Sequence, residues 1–228
     1  MEFIFDTANI ELIRKYSEMF DYTGVTTNPA LIRKAGIVDN TFARFREIRQ
    51  FIGYDRTLHM QVVSHDCNEM VREAMHMLDK VDDQICIKVP VTPEGMKAMK
   101  ILKEKGVRLT ATTVVTQMQA LLALALDVDF IAPYYDQMCD IGIDGRSTIR
   151  MLVDSIEKEG KKTKILAANI KNMAQLREVC ACGSQAITLN PELLEESLRM
   201  PQIDKAVKFF DDAWLEIHGT TGLCELMD

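Results

Sequence analysis

Short β-branched or apolar runs alternate with segments of helical period, and eight such runs in a chain of 228 residues predict an α/β fold, a single (β/α)8 TIM barrel with an extra C-terminal helix. Three observations carry this. The alternation signals βα units around a parallel sheet, and eight strands in so short a chain suggest closure. No linker, low-complexity tract or repeat beyond the βα period divides residues 1–228, so one domain is expected. An open doubly wound sheet is the rival, but no Gly-x-Gly-x-x-Gly follows the first run, which weakens a dinucleotide-binding version.

Taken in order, strands are expected at 3–6, 23–26, 57–63, 84–89, 107–113, 130–134, 164–168 and 185–189. Helices are expected near 9–19, 40–52, 67–79, 94–105, 116–126, 145–159, 172–181 and 191–198, with a last amphipathic one at 202–217. Thr92 before Pro93 and Glu94 places a cap, a first-turn proline and an acid where a helix N-terminus favours them. Gly106 and Gly160 stand where helices should stop.

Composition narrows the partners. The formal charge is -7 with both signs interspersed and no basic run, which argues against nucleic acid and against an anionic membrane surface. The longest apolar stretch, 120–126, meets Asp127 and Asp129 at once and is too short to span a bilayer. The first residues enter a strand without a charged leader or cleavage site, so the expected compartment is the cytoplasm. Six scattered cysteines, including Cys180 and Cys182 with one residue between them, read as reduced thiols. His59, His65, His76 and His218 show no i,i+4 pairing with a carboxylate; neither a metal nor a cofactor is expected. Small molecules are the expected ligands.

In this barrel class, catalytic groups stand at the carboxyl ends of strands. Those positions hold Asp6, then Thr26-Thr27-Asn28, Gln61, Lys88, Thr110 with Thr112, Tyr134 and Asn169. Residues two apart on a strand share a face, and the outward face must pack on apolar helices. In 84–89 the apolar Ile85, Ile87 and Val89 therefore face outward, and Lys88 points inward with Cys86 beneath it. The same parity turns Ile4 and Asp6 inward, aligns His59 with Gln61, and aligns Thr110 with Thr112. Burial disfavours the ammonium form of a lysine. A neutral amine attacks a ketone, and the resulting iminium is an electron sink for cleavage of the adjacent carbon–carbon bond. Asp6, Gln61, Thr112 and Tyr134 are the groups available for the proton transfers that this route needs, while Asn28 and Asp6 can bind substrate hydroxyls. Each has a plainer reading alone: Lys88 paired with Asp6, Asp6 capping a turn, Tyr134 packed with its hydroxyl satisfied, Thr112 a good strand former.

The segments Gly24-Val25-Thr26-Thr27-Asn28-Pro29 and Ile87-Lys88-Val89-Pro90-Val91-Thr92 resemble the two signature segments of transaldolases. Ala132-Pro133-Tyr134 and Ala167-Ala168-Asn169-Ile170-Lys171 resemble family segments too, and the length is that of the small branch that includes fructose-6-phosphate aldolase. The resemblance implies a metal-free (β/α)8 barrel with a Schiff-base lysine at Lys88 and supporting roles at Asp6, Asn28, Gln61, Thr112 and Tyr134, the tyrosine serving as acid/base. It implies a homo-oligomer, a pentamer or decamer, in which segment 202–217 reaches a neighbour. Gln61 stands where ordinary transaldolases have a glutamate, which favours aldolase-like behaviour.

One departure concerns the substrate. Gln137 and Asn169 occupy the positions where the family pattern has a phosphate-binding arginine and serine, and neutral amides do not replace an arginine fork. Lys171 remains as a cation, helix N-termini past the last strands offer backbone donors, and Thr26 and Thr110 complete the substrate-side candidates. The expected function is thus a class I aldolase or transaldolase acting on a sugar or sugar phosphate through a lysine-bound dihydroxyacetone unit. A sulfonated or unphosphorylated ketose, a different Schiff-base aldolase acting on deoxyribose phosphate or a ketoacid, and a catalytically silent sugar-binding barrel are the alternatives.

Overall fold

In the computed structural model, which describes residues 1–226, eight parallel strands close on themselves in chain order. They are β1 (Glu2–Asp6), β2 (Gly24–Thr26), β3 (Thr57–Gln61), β4 (Cys86–Pro90), β5 (Leu109–Val114), β6 (Phe130–Pro133), β7 (Lys164–Ala167) and β8 (Ala186–Leu189). The seam is β1 against β8, where Ile4 lies opposite Thr188. The predicted TIM barrel is therefore the fold. The helices are α1 (Ile10–Ser17), α2 (Pro29–Lys34), α3 (Thr41–Ile52), α4 (Cys67–Lys80), α5 (Pro93–Glu104), α6 (Gln117–Ala125), α7 (Tyr135–Asp140), α8 (Gly145–Glu159), α9 (Met173–Ala181), α10 (Pro191–Leu198) and α11 (Pro201–His218). The chain divides into two compact units, Met1–Pro191, which contains the whole barrel, and Glu192–Asp228, which contains α11.

Alternation of faces builds the core. Ile4, Cys86, Phe130, Ala132, Leu166, Ala168 and Ala186, all of one parity, form a cluster inside the barrel, with Tyr134 packed against it. The opposite parity, including Phe5, Val25, Leu58, Ile85, Ile87, Val89, Ile131, Ile165 and Ile187, is buried towards the helices. Each large aliphatic so buried contributes about 1.5–3 kcal/mol of transfer free energy.

Polar side chains start the helices and hold the loops that carry the site. Asn9, Asn28, Asp66, Thr92, Thr116, Asp144 and Asn172 each accept a backbone N–H at a helix start. Glu73 of α4 reaches back to accept from the amides of Val63 at 2.8 Å and Ser64 at 3.1 Å, which fixes the turn after β3. Gln119 of α6 donates to the Val91 carbonyl at 2.9 Å and so ties down the loop after β4. Gly95 lets α5 approach that loop, since a Cβ there would lie 1.9 Å from the Pro90 carbonyl oxygen.

The differences from the sequence reading lie at the carboxyl ends of strands. β3 stops at Gln61, and Val63 is exposed. Tyr134 is past β6, keeps one bridge to Ala168, and becomes the residue before α7. The six-residue α2 and α7 were not anticipated. Among the described residues no helix is long and apolar enough to cross a membrane.

Candidate active site

The side chain of Lys88 is the central feature. Its neighbours in register are Gln61 on β3 and Thr110 on β5, and the residue is only 4% exposed. Nζ donates to the carbonyl of Thr27 at 2.9 Å, and among the described residues the amine forms no ion pair. The plainer reading, a structural pair with Asp6, is therefore not what the geometry contains. Asp6 instead accepts from the hydroxyl of Thr26 at 2.6 Å.

Beneath the amine lie two uncharged side chains, His59 and Cys86. His59 lies opposite Cys86 in register, one pleat below the Gln61–Lys88 pair. Its Nδ1 bonds the Thr110 hydroxyl at 2.8 Å and its Nε2 the Thr57 hydroxyl at 2.9 Å, while the ring meets Phe130 edge-on at 4.9 Å. Burial, and then the positive charges of Lys88, Arg108 and Arg49, hold this imidazole well below its usual range, so it is neutral at pH 7. Burial pushes the Cys86 thiol up to about 12, so it too carries no charge.

At the ends of β5 and β6, the Tyr134 hydroxyl lies 3.0 Å from that of Thr112, so the phenol already has a hydroxyl partner that orients it. Gln61 Oε1 is buried and accepts no hydrogen bond among the described residues, an acceptor that a buried site normally satisfies. Asn28 uses its Oδ1 to accept from Leu31 N at 3.0 Å, which leaves its amide hydrogens for other acceptors.

An amine, a carboxylate, a phenol and an orphan amide oxygen thus stand at the carboxyl ends of β1, β3, β4 and β6. Residues 3–219 match the family described as Transaldolase/Fructose-6-phosphate aldolase. The chain belongs to this family. It is 40% identical to a "Probable fructose-6-phosphate aldolase" of Streptococcus pneumoniae over 223 residues, 98% of this chain and all of that protein. It is also 33% identical to a "Probable transaldolase" of Exiguobacterium sp. over 214 residues, covering 94% of this chain and 97% of the other.

Within this transaldolase/fructose-6-phosphate aldolase chain, the remaining candidates scatter. Thr26 and Thr110 are wholly buried, and their hydroxyls serve Asp6 and His59. Asn169 takes a left-handed conformation (φ 57°) two residues after β7, and its carbonyl accepts from the Asp136 amide. Gln137 lies exposed on α7, and Lys171 is exposed with its backbone amide held by Gln175 Oε1 at 2.8 Å. Asp136, beside Gln137, accepts from the Gln175 amide at 2.7 Å. Sequence reasoning missed Thr188, whose hydroxyl meets that of Thr26, and the Thr27 carbonyl that holds Lys88. Thr188 was legible, because it has the inward parity of 185–189; a backbone acceptor leaves no mark in a sequence. Among the described residues no group of three or more His, Cys, Asp or Glu is placed to hold a metal ion.

Proposed function

We propose that this chain is a class I aldolase with transaldolase-type chemistry, which carries a ketose as an iminium on Lys88. One observation supports it above the rest: among the described residues, buried Lys88 has a single neutral carbonyl as hydrogen-bond partner and no counter-ion.

In the proposed cycle, Nζ attacks the ketose carbonyl carbon and the carbinolamine loses water to give the iminium. The hydroxyl two carbons away gives up its proton, the carbon–carbon bond between them breaks, and the electron pair moves into the iminium to leave an enamine. The released fragment is an aldehyde. Protonation of the enamine and hydrolysis return the ketone and the amine, whereas attack of the enamine on a second aldehyde makes a new ketose. Tyr134, oriented by Thr112, is assigned the proton transfers, and Gln61 Oε1 accepts from the carbinolamine or a substrate hydroxyl. Asp6 and Asn28 bind the hydroxyls of the dihydroxyacetone unit.

Gln137 and Asn169 favour a second reading of the substrate. With neutral amides, and Asp136 beside them, a phosphate dianion is poorly matched, and a sulfonated or unphosphorylated ketose fits the same lysine. We also assign α11 to a homo-oligomer contact, because Ile203, Val207, Phe210 and Ile217 are exposed at helical spacing on a helix without a buried residue.

A donor and acceptor screen tests this reading. Dihydroxyacetone, acetaldehyde and pyruvate are offered as donors with phosphorylated, sulfonated and neutral aldehydes, and products are identified by mass. Dihydroxyacetone-derived ketoses are expected. Acetaldehyde or pyruvate products would move the chain to another Schiff-base chemistry, and ligand binding with no product from any combination would make it a sugar-binding barrel.

A further inference from the structure

We infer that Thr188 is a positioning residue for Asp6, acting through Thr26. This rests on the reading of Asp6 and Lys88 as parts of one reactive site. β1 is flanked by β2, where Thr26 lies opposite Asp6, and by β8, where Thr188 lies opposite Ile4. The hydroxyls of Thr26 and Thr188 therefore come from the two sides of β1 and meet each other next to the Asp6 carboxylate.

Counting protons gives this contact a direction. A hydroxyl has one hydrogen, and an ionised carboxylate only accepts. The Thr26 hydrogen goes to Asp6 Oδ1 at 2.6 Å, so towards Thr188 the Thr26 oxygen accepts and Thr188 donates. The chain runs Thr188 to Thr26 to Asp6, and each hydrogen bond polarises the next. Both threonines are sealed from solvent, Thr26 at 0% and Thr188 at 2% exposure, so water does not replace a lost hydroxyl.

Thr188→Val keeps the shape and removes the donor, Thr188→Ser keeps the donor, and Thr188→Ala repeats the loss without risk of overpacking. Two readouts are needed: turnover of dihydroxyacetone with an aldehyde, and the ¹³C resonance of the Asp6 side-chain carboxyl at pH 7 in the substrate-free protein. In Thr188→Val and Thr188→Ala, turnover should fall about five-fold, the size of one hydrogen bond between neutral groups. The Asp6 resonance should move in both variants, and Thr188→Ser should restore turnover and resonance together. An unmoved resonance with wild-type turnover in the folded Val or Ala variant overturns the relay, and so does a Ser variant that behaves like Val. Failure of the wild-type chain to form a lysine adduct overturns the reading of the site, while the Asp6 resonance still decides the relay.

Discussion

Two buried basic side chains in the barrel unit, Arg49 and Lys88, are equally hidden and differently served. Arg49 is 2% exposed; its Nε donates to Asp82 at 2.6 Å, and its Nη1 donates to the carbonyls of Gly53 and Arg56 at 2.8 Å each. These partners precede β3 and β4, at the amino end of the barrel. Lys88, at 4% exposure near the carboxyl end of β4, has one neutral carbonyl as partner among the described residues. A buried charge with a full set of partners fixes the fold, whereas on the proposed mechanism the buried amine with few partners is the group that reacts. On that mechanism the barrel keeps a fastened end and a reactive end.

The comparison breaks if exchanging each of these side chains for an isosteric apolar one has the same effect. Lys88→Met should lower turnover about 10⁴-fold or more, as removal of a covalent nucleophile does. The same variant should unfold in urea within about 1 kcal/mol of wild type, because no buried partner is left charged. Arg49→Met should do the reverse: it strands Asp82, costs about 3–5 kcal/mol in urea unfolding, and leaves turnover per folded molecule near wild type. A Lys88→Met protein as unstable as Arg49→Met would mean that the lysine is structural.

A smaller effect sharpens the electrostatic side. The folded protein keeps His59 neutral well below pH 6.5, whereas the unfolded chain protonates near that value. Below pH 6.5 the unfolded state binds a proton that the native state does not, so this component of stability is present above that pH and is lost as pH falls. The slope approaches about 1.4 kcal/mol per pH unit. Urea titrations at pH 7 and pH 5 should therefore show a larger loss for wild type than for His59→Gln, and equal losses would contradict the neutral layer under Lys88.

Parity made much of this readable in advance. Outward Ile85, Ile87 and Val89 leave one inward direction for Lys88, and the interior cluster containing Ile4 and Cys86 bears that out. Parity states the face, however, and not the level along the barrel axis. Thr26 and Thr110 face inward as expected, yet both are wholly buried with their hydroxyls engaged by Asp6 and His59. That level is set by the register between strands, such as His59 opposite Cys86, which no single strand records. α7 escaped notice because Tyr134, at its start, makes no side-chain cap, whereas Asn28 does cap α2, a helix of six residues only.

The central claim is that the amine of Lys88 bonds to a ketone carbon, and reductive trapping tests it most directly. The protein is treated with dihydroxyacetone and borohydride, digested, and mapped by mass. The account predicts one added dihydroxyacetone-derived unit on the peptide containing Lys88, absent without the ketone and absent in Lys88→Met. An unmodified Lys88 in a protein that still turns the ketose over, or an equal adduct in Lys88→Met, would contradict it.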